Sequence, residues 1–206
     1  MALAQVRKEV PRTIFHVLGG VFLACLGYFL PSPLNRALLG GIFLTTLIVE
    51  GGRRYVPFIK DLTNRLLGVL MRPSEFDGVT GTPAFTCGVF LAFLLFSKEI
   101  ALASLIPLLA GDRAAVLAGK GFGRVKMGDR TLEGSLAFIA ASFITYLVVS
   151  SIVPHAFPFP WTILLAASVV GALAELLPRP MDDNLTIPLA TGGFLVLVGR
   201  IFSHLS

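Results

Sequence analysis

The sequence predicts an all-α fold, a polytopic transmembrane helical bundle, and three observations carry that expectation. Of the 206 residues, 55% are hydrophobic and only 14% are charged, against about 25% charged in an ordinary soluble domain. The mean hydropathy is +0.83, too apolar for a water-facing surface. The apolar runs are also long enough to cross lipid, which takes about 20 helical residues per span.

Seven runs qualify, over 13–30, 34–50, 80–97, 99–118, 134–153, 161–177 and 185–203. Helix is the default, because lipid cannot satisfy an open backbone. Pro31 and Pro33 mark the first turn, Ser97 the second, and Pro154, Pro158 and Pro160 another. Thr80, Gly81, Thr82 and Pro83 break the start of the third run. The stretch from Tyr55 to Met71 differs, setting Lys60, Asp61, Asn64 and Arg65 among apolar residues at three- and four-residue spacing. That pattern predicts an amphipathic helix lying in the interface. No internal repeat or low-complexity linker divides the chain, so residues 1–206 are read as one integral membrane domain. Cys25 and Cys87 both lie in apolar runs, which argues against a disulfide.

Charge placement sets the orientation. The net charge is +5. With seven spans, fourteen of the seventeen Lys and Arg fall on one side, and Arg36, Lys98 and Arg200 fall on the other. Positive residues collect in cytoplasmic loops, so the N-terminus and the charged loops are expected inside and the C-terminus outside. The basic balance thus follows from topology, and nucleic acid is not an expected partner; the aromatics are mostly Phe within apolar runs. Glu50, Glu75, Asp112, Glu133, Glu175, Asp182 and Asp183 gather at or near the same inner face.

Several of these residues carry candidate chemistry. Arg12 and His16, four apart, share a helix face in the first span. Asp112 sits within the fourth apolar run, where a carboxylate needs water, a cation or a metal. Arg113 is expected to project from another face of that helix. Then comes a glycine-rich basic stretch containing Gly119, Lys120, Gly121, Gly123, Arg124 and Lys126. If it forms a loop, its amides and cations suit a polyphosphate, although the spacing is not that of a P-loop. Thr131 and Glu133 open the fifth span, where capping also accounts for them. Glu175 ends the sixth span, where the helix dipole disfavours an anion, so Arg179, a metal or a proton must compensate it. Carboxylates that hold Mg²⁺ beside a basic loop, reached through lipid-facing helices, suit phosphoryl or nucleotidyl transfer to a lipid head.

The same residues resemble a known family. Arg12 and His16 resemble its Arg-Lys-x-x-x-His opening, with Thr13 in place of Lys. Arg72 and Glu75 resemble an Arg-x-x-Glu element. Gly111-Asp112, Ala115, Gly119 and Gly123 resemble the central signature. Thr131, Glu133 and Gly134 resemble a Lys-Thr-x-Glu-Gly segment, with Arg130 in place of Lys. Glu175, Asp183, Asn184 and Pro188 resemble the closing elements. Over residues 7 to 195 the chain thus resembles the CTP-dependent lipid-alcohol kinases, a group holding dolichol kinases, phytol kinases and the yeast-type diacylglycerol kinase.

That resemblance implies transfer of the γ-phosphoryl group of CTP to a lipid hydroxyl with Mg²⁺ or another divalent cation. The expected acceptor is an isoprenoid or related lipid alcohol of the polyprenol, dolichol, phytol or geranylgeraniol type, with diacylglycerol left open. It implies that Arg12, His16, Asp112 and Glu133 act in catalysis. Gly111, Gly119, Lys120, Gly123, Arg124, Lys126 and Thr131 would hold the nucleotide, and Asp112, Glu175, Asp183 and Asn184 the metal. Phosphatidate cytidylyltransferases share the glycine-basic loop and the Lys-Thr-x-Glu-Gly segment but transfer CMP. They usually carry a His-Gly-Gly stretch before the last span, where this chain has Met181, Asp182, Asp183 and Asn184. A transporter or non-catalytic lipid-binding protein would explain buried charge but not the ordered motifs.

Overall fold

A computed structural model describes residues 2–177 and 182–205, and helices dominate it. In chain order they are α1 (Ala2–Phe29), α2 (Ser32–Tyr55), α3 (Pro57–Leu67), α4 (Thr82–Leu95), α5 (Lys98–Ile106), α6 (Asp112–Phe122), α7 (Leu132–Ile152), α8 (Trp161–Leu176) and α9 (Asp183–Leu205). A π-turn over Pro107–Gly111 joins α5 and α6 into one helix of 25 residues, Lys98–Phe122. In that turn the Asp112 N–H bonds back to the Pro107 carbonyl. Such wide turns occur often beside functional residues, and this one ends at Asp112, a buried acid.

Each of the seven apolar runs contains a helix, but the helices are not equal. Five, counting α5–α6 as one, are long and apolar enough to cross a membrane. Thr82–Leu95 and Trp161–Leu176 are shorter apolar helices. The long helices expose large apolar side chains such as Leu18, Phe22, Ile48 and Ile152, as contact with lipid requires. The α5–α6 helix is the most buried of the five. It touches α1, α4, α7 and α9 directly or through its π-turn.

Two apolar clusters hold the bundle. One joins Leu23, Leu39, Val89, Phe93, Leu105, Leu108, Phe138 and Ile187. The other, built on Tyr146, Phe157, Leu164 and Leu195, ties α7 to α5 through a hydrogen bond from the Tyr146 hydroxyl to the Ala103 carbonyl, 2.8 Å. Arg36 and Lys98 donate to the carbonyls of Phe93 and Leu30, at the end of the bundle away from most of the charge. Cys25 and Cys87 are free thiols.

The amphipathic stretch forms α3, with no buried residue. Phe58, Leu62 and Leu66, one turn apart, are all exposed. From Gly68 the chain turns into a strap over 68–81, with two short 3₁₀ turns at Gly68–Leu70 and Pro73–Glu75. The expected loop at 119–126 is a correction. Helix α6 runs on to Phe122, so Gly119, Lys120 and Gly121 are helical. The helix ends at Gly123, whose backbone is extended and whose N–H still bonds the Gly119 carbonyl. A small antiparallel hairpin follows, pairing Lys126 with Thr131 and Met127 with Arg130, so the fold is not wholly helical. Gly128, at φ +63°, makes its turn.

Candidate active site

A cavity of about 730 Å³ opens where α1, α2, α4, α6 and the start of α9 meet beneath α3 and the strap. Its lining includes the charged residues Arg12, Glu50, Arg53, Arg72, Glu75, Asp112, Arg113, Arg130 and Asp183 together with Asn184. It also includes the apolar residues Phe15, Val49, Leu67, Leu70, Phe85 and Val116. Charged and apolar side chains around one space suit an amphiphile, whose head and tail need different surroundings.

The strap is fixed by two carboxylates. Glu75 receives both Arg12 guanidinium nitrogens at 3.2 and 3.1 Å, the Arg72 backbone N–H at 2.6 Å and the Gly81 N–H at 3.3 Å. Glu50 accepts from Arg53 at 3.2 Å and from the Thr80 hydroxyl and N–H at 2.6 and 3.3 Å. Arg53 also donates to the Glu75 carbonyl at 2.9 Å and to Asn64 at 3.3 Å. Both members of the Glu50–Arg53 pair are buried, so their bonds lie where charge-assisted contacts are strong and a missing partner is costly. They follow an apolar run at i, i+3 spacing, the one sequence signal that marked them.

His16 faces the same cavity, its ring against Phe85 at a centroid distance of 4.3 Å. Its Nε2 has no hydrogen-bond partner. Asp112 is 3% exposed. The expectation for Arg113 is corrected: it does not point away but curls back, and its Nε donates to Asp112 at 2.9 Å. A flexible guanidinium finds the nearest carboxylate when the alternative is an apolar helix interior.

Arg72 stands apart from the other cavity arginines. No ion pair engages its side chain among the described residues, and Arg12, Arg113, Glu75 and Glu9 are its charged neighbours. Burial, and after it the Arg12 guanidinium, hold Arg72 below its ordinary pKa. An anion would relieve that repulsion.

The glycine-rich stretch takes no part in the cavity. Lys120 pairs with Glu9 on α1, and Arg124 and Lys126 are exposed. Its glycines instead make room for Thr131. A Cβ at Gly119 would lie 3.0 Å from the Thr131 hydroxyl, and one at Gly123 would lie 2.6 Å from the Thr131 methyl. Thr131 accepts from the Gly134 N–H at 3.1 Å and caps α7. Gly111 packs on Phe138 and Ser142 of α7. Glu133 is half-buried and accepts from the Val125 N–H at 3.3 Å, outside the cavity.

Among the expected metal-binding residues, Asp112, Asp183 and Asn184 line the cavity. Glu175 lies just behind it, 3% exposed, with Arg130 at 3.3 Å. Arg130 also pairs with Asp183. Arg179, an expected partner of Glu175, lies outside the described residues, as does Met181. No three His, Cys, Asp or Glu converge on one point among the described residues. Magnesium does not require that; it binds through one or two carboxylates, waters and substrate phosphates. The hard oxygen donors of Asp112, Asp183 and Asn184 in the lining of one cavity fit that mode.

Similar proteins match over nearly the whole of this chain. CTP-dependent diacylglycerol kinase 1 of Schizosaccharomyces pombe is 29% identical over 208 residues, covering 93% of this chain and 94% of its own length. The protein of that name from Eremothecium gossypii is 30% identical over 212 residues, covering 92% of this chain and 67% of its own. The Saccharomyces cerevisiae protein is 27% identical over 220 residues, covering 95% and 75%. No family model and no solved structure matches the chain.

Proposed function

Since this chain belongs to the CTP-dependent lipid kinase family, we propose that it transfers the γ-phosphoryl group of CTP to the hydroxyl of diacylglycerol or a similar lipid alcohol, within the cavity roofed by the strap. One observation carries the reading: arginines, carboxylates and large apolar side chains line a single cavity. Phosphates would meet Arg12, Arg72 and Arg113, and a hydrocarbon tail would lie toward Phe15, Val49 and Phe85. The names of the relatives favour diacylglycerol over the isoprenoid alcohols expected from sequence.

The lipid oxygen attacks the γ-phosphorus, the bond to the β-phosphate oxygen breaks, and CDP leaves. His16 Nε2, buried and unpartnered among the described residues beside the cavity, takes the hydroxyl proton. Arg12, already oriented by Glu75, neutralises charge on the transferring group. Little covalent work falls to the protein in such a reaction, so positioning and charge account for most of the rate. Asp112, Asp183 and Asn184 would hold Mg²⁺, which would neutralise the triphosphate when bound. The cavity and N-terminus would face the cytoplasm, with α4 and α8 completing seven spans.

The test is the fate of label from CTP carrying ³²P at either the α or the γ position. The purified protein would be presented with dioleoylglycerol, farnesol, a polyprenol and phosphatidate in mixed micelles. Phosphatidate labelled only from γ-CTP, with release of CDP, is the expected result. Label entering lipid from α-CTP would overturn the kinase reading in favour of cytidylyl transfer. Label in an isoprenoid alcohol but not in dioleoylglycerol would overturn the acceptor alone.

A further inference from the structure

The hairpin between α6 and α7 has a use other than holding phosphate. Arg130 leaves it on a backbone fixed from both sides, by pairing with Met127 and by the Thr131 cap of α7. From there its guanidinium reaches Glu175 at the end of α8, 3.3 Å away, and Asp183 at the start of α9. Glu175 needs it. That carboxylate is 3% exposed, and neither oxygen has a hydrogen bond among the described residues. It also sits at a helix C-terminus, where the dipole repels an anion. Among the described residues, the other charged groups that act on Glu175 are Asp112, Asp183 and Arg113. Arg113 is already committed to Asp112.

We infer that Arg130 is a positioning residue, the resident counter-ion that holds Glu175 and Asp183 together at the cavity wall and can yield that place to the charge of an incoming divalent cation. The wall then keeps its carboxylates aligned without a cation, rather than scattering under repulsion among Asp112, Glu175 and Asp183. The same contacts tie the starts of α7 and α9 to the end of α8. The inference rests on the proposed function only in taking a divalent cation as the incoming charge.

Melting of the detergent-purified protein tests it, with no CTP or lipid present. Arg130→Gln strands a buried carboxylate, and the melting midpoint should fall by about 10 °C. Millimolar MnCl₂ alone should recover more than half of that loss, while moving the wild type by no more than about 2 °C. Arg130→Lys should fall less than Arg130→Gln, because it keeps the charge but not the two-sided fork. The double variant Arg130→Gln/Glu175→Gln, lacking both charges, should melt near the wild type without metal. An Arg130→Gln midpoint equal to wild type overturns the inference, as does a loss that Glu175→Gln does not repair. Repair by Glu175→Gln but not by Mn²⁺ overturns the exchange with a cation. If Arg130→Gln does not fold at all, the double variant decides: folded supports the inference, unfolded ends it. A failure of lipid phosphorylation leaves these outcomes untouched, and the reverse also holds.

Discussion

Two regions of the molecule carry charge and do opposite things with it. The stretch over 119–126 has three glycines and three cations, the composition of a phosphate-binding loop. It folds as the last turn of α6 and the start of a hairpin, and its cations point to Glu9 or to solvent. The strap over 68–81 has one basic residue and an unremarkable composition. It roofs the cavity, and through Arg72 and Glu75 it places or holds two of the guanidiniums there. The difference lies in what each charge would lose by moving. Lys120 and Arg124 reach water freely, whereas Arg12, Arg53 and Glu75 are partly or wholly withdrawn from it and are held by partners. Buried charge marks function better than charge density.

The comparison breaks most plainly at Arg12. Arg12→Gln removes a cavity charge and unlatches Glu75. Transfer from γ-labelled CTP should fall about a thousandfold, the scale of losing a donor aimed at developing charge. A rate within tenfold of wild type would show that the cavity under the strap is not where transfer occurs. Next is the clamp. Glu50→Gln leaves Arg53 buried without its carboxylate, at a cost of about 3–5 kcal/mol. The strap should then become the first site of proteolytic cleavage, read by mass spectrometry of limited digests. A strap as resistant as wild type would mean that apolar contacts, not Glu50, hold it down.

Much of this was legible in the sequence, for identifiable reasons. Helix positions followed from apolar run length, because lipid leaves the backbone no alternative. Arg12, His16, Asp112 and Asp183 share one cavity because each is a polar group at or within an apolar run, and such groups must face one another. What failed depended on direction. Nothing in the order of residues says that Arg113 folds back on Asp112, or that Gly119 and Gly123 clear space for Thr131 rather than for a ligand. The end of α6 was misplaced because glycine spacing suggested a loop, while contact with α7 outweighs the modest cost of glycine in a helix. Glu50 was read only as an acid of the inner face and Arg53 not at all, because their partners, Thr80, Asn64 and the Glu75 carbonyl, lie 11 to 30 residues away along the chain.

The smallest effects sharpen the comparison most. Arg72→Ala removes the strap's own cation. If it meets the nucleotide, KM for CTP should rise about tenfold while KM for the lipid stays constant, the mark of a lost phosphate contact rather than a lost lipid one. Lys120→Ala is the counterpart on the other region. Lys120 ends on Glu9, and its side chain is 44% exposed. A pair of that kind contributes about 0–1 kcal/mol, so KM for CTP should change less than about threefold and melting hardly at all. The two substitutions remove one positive charge each, so any long-range effect of net charge is common to both and cancels in their ratio. A tenfold rise in KM for CTP with Lys120→Ala, and none with Arg72→Ala, would invert the assignment. It would mean that the end of α6 unwinds when nucleotide binds and that the glycine-rich stretch holds phosphate after all. The expected order, Arg72 well above Lys120, requires only that the side chains act from where they stand.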